Sequence, residues 1–161
     1  MRQTESAGSP PARLPWPPIL MAITVVVGLA LDKIAGEPPA AVFAAPVLRA
    51  CGGILVLAAL TLDVWCARTL ARWETTILPH RAASRLVTEG PYGLSRNPVY
   101  IAHVTLTLGL GLLLAAPAIA GLTPLLALGL QKLSIEPEER HLQDKFGAEF
   151  RAYMARTPRW L

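Results

Sequence analysis

Residues 98–130 read PVYIAHVTLTLGLGLLLAAPAIAGLTPLLALGL, 33 positions without one formal charge. A membrane helix needs about 20 apolar residues, so this stretch is too long for one ordinary span. Pro117, Gly121 and Pro124 also interrupt it. Both facts point to two helices folded into a hairpin and meeting near Ala115 to Gly121. The connection carries no charge, as suits the far side of a membrane, and the chain regains polarity at Gln131 and Lys132.

Working upstream, Leu14 to Leu31 is free of charge, and Pro15, Trp16, Pro17 and Pro18 near its start supply an aromatic anchor and helix-start prolines. Asp32 to Pro46, with Gly36, Pro38 and Pro39, reads as a connecting loop, and Val47 to Cys66 as a second span. Asp63 lies near the end of that span, where it belongs at the water boundary or facing a polar interior. Cys51 and Cys66 are over about 20 Å apart along one helix and cannot pair within it, so both are expected to be small buried packing residues. Between residues 68 and 96, Arg68, Arg72, Arg81, Arg85 and Arg96 outnumber Glu74 and Glu89, an excess that places this segment on the cytoplasmic side.

Composition agrees. The 161 residues are 53% hydrophobic and 16% charged, with a mean hydropathy of +0.43, unlike a soluble globular domain. The formal charge of +4 does not imply nucleic acid, because no basic stripe alternates with aromatics. No Cys/His spacing of metal type is present either. The expected fold class is an all-α integral membrane protein with four transmembrane helices, the hairpin occupying 98–134, followed by a C-terminal cytoplasmic amphipathic helix. Residues 1–13 read as a flexible tail and 14–161 as a single domain whose ligand-binding core is 68–161. Both termini are then cytoplasmic. A chain this short, with no organelle signal, suits a prokaryotic plasma membrane.

Ahead of the hairpin, Ser84 to Tyr100 reads as irregular backbone entering a helix. Gly90-Pro91 and Gly93 break regular structure, Asn97 is placed to cap and Pro98 opens the first turn. The unpaired backbone N–H groups of such an entry can hold a polar ligand beside lipid. Asn97, Tyr100, His103 and Thr107 share one side of the following helix, and a polar stripe running into the membrane belongs toward the bundle interior, as ligand contacts or as interhelical hydrogen bonds. In the amphipathic helix from Glu138 to about Arg156, Leu142, Phe146, Phe150 and Tyr153 recur at helical spacing, and Glu139 falls on the same inward face. Glu138, Glu139 and free backbone donors on one side could bind a small zwitterion with hydroxyls and an ammonium. Equally, acids in a first helical turn are stabilised by the helix dipole alone. No nucleophile elbow, P-loop, His-Glu-x-x-His or dinucleotide fingerprint is present.

Leu-Val-Thr-Glu-Gly-Pro-Tyr, then Arg-Asn-Pro-Val-Tyr, and after the hairpin Glu-Glu-Arg-His-Leu, Phe-Gly-Ala-Glu-Phe, Tyr and Arg-Thr-Pro-Arg-Trp-Leu follow one another from about Arg68 to Leu161. In that order they resemble the integral-membrane methyltransferases typified by isoprenylcysteine carboxyl methyltransferase, with the phospholipid N-methyltransferases as relatives. The resemblance implies S-adenosylmethionine as cofactor, bound in a cytoplasmic pocket, and a lipophilic or prenylated substrate entering from the bilayer. Its cofactor contacts fall on Ser84, Arg85, Leu86, Val87, Tyr92, Asn97, Pro98, Val99, Tyr100 and Glu138, with Glu139 beside them. Asn97 stands where the carboxyl methyltransferases usually carry His. The position of the arginine that meets the substrate carboxylate is Ser134, with Lys132 the nearest cation, so both count as candidate substrate contacts.

Methyl transfer needs nucleophile and methyl carbon aligned, dry and close. A carboxylate acceptor, the favoured class, is already ionised at neutral pH and requires only orientation. An amine must first lose a proton, for which His103 or Glu139 is the candidate base. The alternatives are an amine or phospholipid N-methyltransferase, a nicotinamide-dependent enzyme like the membrane sterol reductases, which share a related C-terminal pattern, and an inactive membrane scaffold.

Overall fold

The computed structural model describes residues 15–36, 45–73 and 85–161. Its elements are α1 (Trp16–Ala35), α2 (Pro46–Arg72), the single turn α3 (Pro91–Leu94), α4 (Pro98–Leu113), α5 (Pro117–Leu130), a π-helical turn (Gln131–Ile135) and α6 (Glu136–Arg156). Each α-helix carries proline in its first two positions, where the missing N–H removes no helical bond and the fixed φ favours the turn. No strand occurs among the described residues.

Among the described residues, three helical runs are long and apolar enough to cross a membrane: Trp16–Ala35, Pro46–Arg72 and the continuous run Pro117–Arg156. Pro98–Leu113 is a shorter apolar helix of 16 residues, about 24 Å at 1.5 Å per residue. The all-helical membrane fold expected from the sequence is therefore present, built from three full-length helices and one shorter one.

The helices stand in the spatial order α1, α5, α4, α2. The outer two bury one face and leave Val26 and Leu57 about two-thirds exposed, apolar surface that suits lipid. Contact with the inner pair is close because small residues remove the side chain at each crossing. A Cβ on Gly52 would collide with the backbone of Leu113, and one on Gly109 would lie 2.9 Å from the Val56 nitrogen. Gly28 is covered in the same way by Ile119.

The hairpin turns at residues 114–116. Ala115 takes φ +54°, its N–H donates to Leu112 O and the Ala116 N–H donates to Gly111 O, the paired bonds of a Schellman closure. Alanine fills the left-handed position that glycine usually takes, and Gly121 lies inside α5.

Four local expectations are corrected. The helix α1 does not stop at Leu31. Asp32 stays helical and its Oδ1 accepts the Ala118 N–H at 3.0 Å, so the acid expected to open a loop caps the start of α5 from across the bundle. No separate surface helix begins at Glu138. The chain runs from α5 through the π turn into α6 without a break, and the interruption comes later, at Gly147 with φ +50° and ψ −114°. Asn97 occupies the N-cap position but makes no capping bond. Of the two cysteines Cys66 is buried and Cys51 exposed, because α2 covers only one face at that level.

Candidate active site

At the arginine-rich end, the loop leading into α4 and the last residues of the chain are bound together by a row of hydrogen bonds. Gly90 adopts φ +59°, packs against Thr69 and Trp65 of α2, and turns the chain into α3. Beyond α3 the Arg96 N–H donates to Pro158 O at 2.9 Å, Ser95 Oγ donates to Arg159 O at 3.0 Å, and Asn97 Nδ2 donates to the same carbonyl at 3.1 Å. The Tyr153 hydroxyl donates to Tyr92 O at 2.6 Å. Trp160 closes the other side, its indole N–H reaching Gln131 Oε1 at 3.1 Å. Burial pushes the Tyr153 phenol up to about 12 against the lowering pull of Arg96 and Arg156.

Glu139 is the charged centre of this clasp. Arg96 Nε donates to its Oε1 at 3.1 Å, and Arg159 donates to Oε2 through Nη2 at 2.6 Å and Nε at 3.1 Å. Arg96 also donates through Nη1 to Thr157 O and Met154 O, at 2.7 and 3.2 Å. Glu139 and Arg96 side chains are only 11% and 12% exposed, so each removes a charge that would otherwise be stranded away from water.

The neighbouring acid has a different environment. Glu138 Oε2 accepts the Tyr100 hydroxyl at 2.8 Å, joining the first turn of α4 to the first turn of α6. The residue keeps some surface, but its carboxyl lies deep enough that burial raises its pKa, opposed by the Tyr100 bond and reinforced by the Glu139 charge. Tyr92 belongs to the same group of side chains. Burial raises its phenol pKa, and the nearby Cys66 and Glu138 add to the shift. Ser134 Oγ and His141 Nε2, four residues before and three after Glu138, are buried atoms without a hydrogen-bond partner among the described residues.

The candidates named from the sequence thus separate. Tyr92, Tyr100 and Glu138 come together. Pro98 and Val99 form the first turn of α4 beside them, the former buried and the latter half-buried. Val87 is buried, Leu86 half-buried and Arg85 exposed on the approach to Gly90. Ser84 lies outside the described residues. Asn97 is buried with its amide spent on the tail. Ser134 faces inward, whereas Lys132 is 65% exposed and paired at 2.7 Å with Glu136. His103 sits one turn deeper than Tyr100, half-buried, with the rings edge to face at 6.3 Å.

Sequence reasoning missed Arg96, Arg159 and Tyr153 as a unit that builds the site. The signal was available. An acid on the apolar face of an amphipathic helix requires a counter-charge, and two arginines flank the loop and the chain end.

The sequence profile described as phospholipid methyltransferase matches residues 47–149, nearly two-thirds of the chain. The protein belongs to the phospholipid methyltransferase family. This family of membrane methyltransferases includes the isoprenylcysteine carboxyl methyltransferases, so the resemblance noted from the sequence holds at family level. The matched span contains both halves of the Tyr100–Glu138 contact. Among curated proteins, the chain is 32% identical over 113 residues to the cobalt-zinc-cadmium resistance protein CzcN of Cupriavidus metallidurans, covering 70% of this chain and 48% of that one. It is 31% identical over 86 residues to the nickel-cobalt-cadmium resistance protein NccN of Alcaligenes xylosoxydans xylosoxydans, covering 53% and 40%. The chain spans about half the length of the curated relatives it matches or less. No solved structure matches it.

Proposed function

We propose that the protein transfers a methyl group from S-adenosylmethionine to a lipophilic acceptor at the arginine-rich face of the membrane. The observation that carries this reading is the 2.8 Å bond from Tyr100 to Glu138, made by two first helical turns that the clasp holds together, in a chain of the phospholipid methyltransferase family.

The residues present fit the cofactor. A carboxylate beside two phenols offers acceptors and donors for ribose hydroxyls or an ammonium, and Ser134 Oγ and His141 Nε2 are buried polar atoms in want of partners. Glu138, Tyr100 and Tyr92 would hold the polar end, with the irregular backbone from Arg85 to Gly90 alongside. When bound, the cofactor supplies a methyl group activated on a sulfonium. The chain's own share is to fix that end, align the acceptor and exclude water, which is most of what such a displacement requires. The Arg96–Glu139–Arg159 cluster holds the walls in place, and we therefore assign Glu139 to support rather than to proton transfer.

The structure weakens the case for a carboxylate acceptor. Lys132 is committed to Glu136 at the surface and Ser134 is uncharged, so neither supplies a cation facing inward. We accordingly give more weight to amine N-methylation than the sequence alone does. The relatives' names attach them to metal resistance, and we place methylation of a membrane component in that same setting.

Calorimetric titration of the detergent-purified protein with S-adenosylhomocysteine tests the reading. Saturable binding is expected, weakened by Glu138→Ala by about tenfold or more and by Tyr100→Phe by a few-fold, the scale of one charge-assisted hydrogen bond. Absence of binding by the unmutated protein would remove the proposal.

A further inference from the structure

Deeper in the bundle a second polar pair faces inward. His103 follows Tyr100 by one turn of α4, and its backbone carbonyl is engaged by the Thr107 hydroxyl at 2.9 Å. The ring is not so served, for Nδ1 is buried with no hydrogen-bond partner among the described residues. An orphaned polar atom of that kind calls for an explanation.

The glycine crossing fixes what lies opposite. Gly109 rests on Val56, and α2 and α4 are antiparallel neighbours. About two turns along each helix toward the arginine-rich end, at 3.6 residues per turn, Asp63 comes level with Ala102 and His103. Asp63 is half-buried, is the one charged residue of α2 between Arg49 and Arg68, and lies near His103. An acid within a spanning segment is kept at a cost, which makes a function for it the default reading. Among the described residues, Cys66 adjoins Asp63 on the side toward the loop with Tyr92 beside Cys66, and Tyr100, bonded to Glu138, meets His103 edge to face.

We infer that Asp63 positions His103 as the proton acceptor for the group to be methylated, so that the acceptor nucleophile arrives carrying a proton. This rests on the methyltransferase reading above. The balance is simple. The acceptor's proton passes to a ring nitrogen of His103, the freed lone pair forms the new bond to the methyl carbon, and the bond from that carbon to sulfur breaks with its electron pair going to sulfur. The Asp63 carboxylate offsets the imidazolium charge. An acceptor already ionised as a carboxylate makes no use of the pair.

The test uses the full chain in detergent with a long-chain primary amine and a long-chain carboxylate as probes. His103→Gln and Asp63→Asn are each expected to lower kcat for the amine about a hundredfold, the usual share of a general base, with KM and S-adenosylhomocysteine affinity unchanged. Asp63→Glu should recover about tenfold of the loss, and imidazole should partly rescue His103→Ala. Independently of turnover, the amine should protect His103 from diethylpyrocarbonate, read by mass spectrometry, and the carboxylate should not. Retained cofactor-analogue binding shows that each variant is folded. The inference is overturned if both variants turn over the amine at the unmutated rate, if they lose carboxylate methylation in the same proportion as amine methylation, or if the amine leaves His103 labelling unchanged. Failure of the unmutated protein to bind S-adenosylhomocysteine would instead sink the methyltransferase reading itself.

Discussion

Between α2 and α4 the chain is joined by what is missing, since Gly52 and Gly109 let one backbone settle against another. Between the 85–97 loop and the tail it is joined by charge and directed bonds, with one glutamate, two arginines and a row of backbone carbonyls. The difference follows from the surroundings. Within lipid, apolar surface gains nothing by leaving its solvent, so association depends on close contact between small residues. At the water boundary polar groups can be assembled, but each one covered must find a partner. The candidate site lies where these two regimes meet, its Tyr100 rooted in the bundle and its Glu138 in the clasp.

The sharpest way to break the comparison is to remove the centre of the clasp. Glu139→Ala leaves Arg96, itself nearly covered, without its counter-charge, and a stranded buried charge costs roughly 3 kcal/mol. Unfolding in mixed micelles should show a loss of that order, together with release of the tail as increased proteolysis after Tyr153. A change under about 1 kcal/mol would mean the cluster behaves as a surface ion pair. On the bundle side, Gly52→Leu must push α4 away at the Leu113 backbone, an overpacking cost of roughly 2 kcal/mol. The same denaturant series with intact proteolytic resistance of the tail would confirm that the two regions fail separately.

The bundle was the more legible of the two. Charge-free length, prolines at helix starts and the interruption at Pro117 each act locally, and each is written in consecutive residues. What escaped notice depends on residues far apart in the chain. Asp32 reads as a loop acid until the start of α5 is seen beside it, 86 positions later. Asn97 reads as a cap because its neighbours fit one, yet the tail carbonyl of Arg159 takes its amide. The site divides in the same way. Helical phase marks Tyr100 and Glu139, and Glu138 enters through the family resemblance, but that Glu139 is held by two arginines while Glu138 meets Tyr100 depends on residues far along the chain.

A smaller effect separates those adjacent acids by pH. Burial raises the Glu138 pKa above its usual value of 4.5, so the folded protein holds that proton more tightly than the unfolded chain does. Stability from this group is therefore present at low pH and lost as pH rises through the raised folded value. Glu138→Gln removes the dependence while keeping an acceptor for Tyr100. Thermal unfolding of the two forms should coincide near pH 4 and diverge toward pH 8, with the glutamine form the more stable. A gap that does not change with pH would show that the carboxyl is not desolvated.

The smallest effect expected is at Lys132, which the sequence offered as the cation nearest the substrate position. Its ammonium is 65% exposed and lies 2.7 Å from Glu136, four residues on, the geometry of a solvated pair along one helix face. Such pairs contribute little to stability, because salt and water screen them and two flexible side chains must be held still. Lys132→Ala should therefore leave both the unfolding midpoint and S-adenosylhomocysteine affinity within experimental error, while restoring some freedom to Glu136. If the substitution instead weakened acceptor turnover severalfold with the fold intact, the lysine would have to leave Glu136 during the reaction. A carboxylate-recognising role for the lysine would then follow.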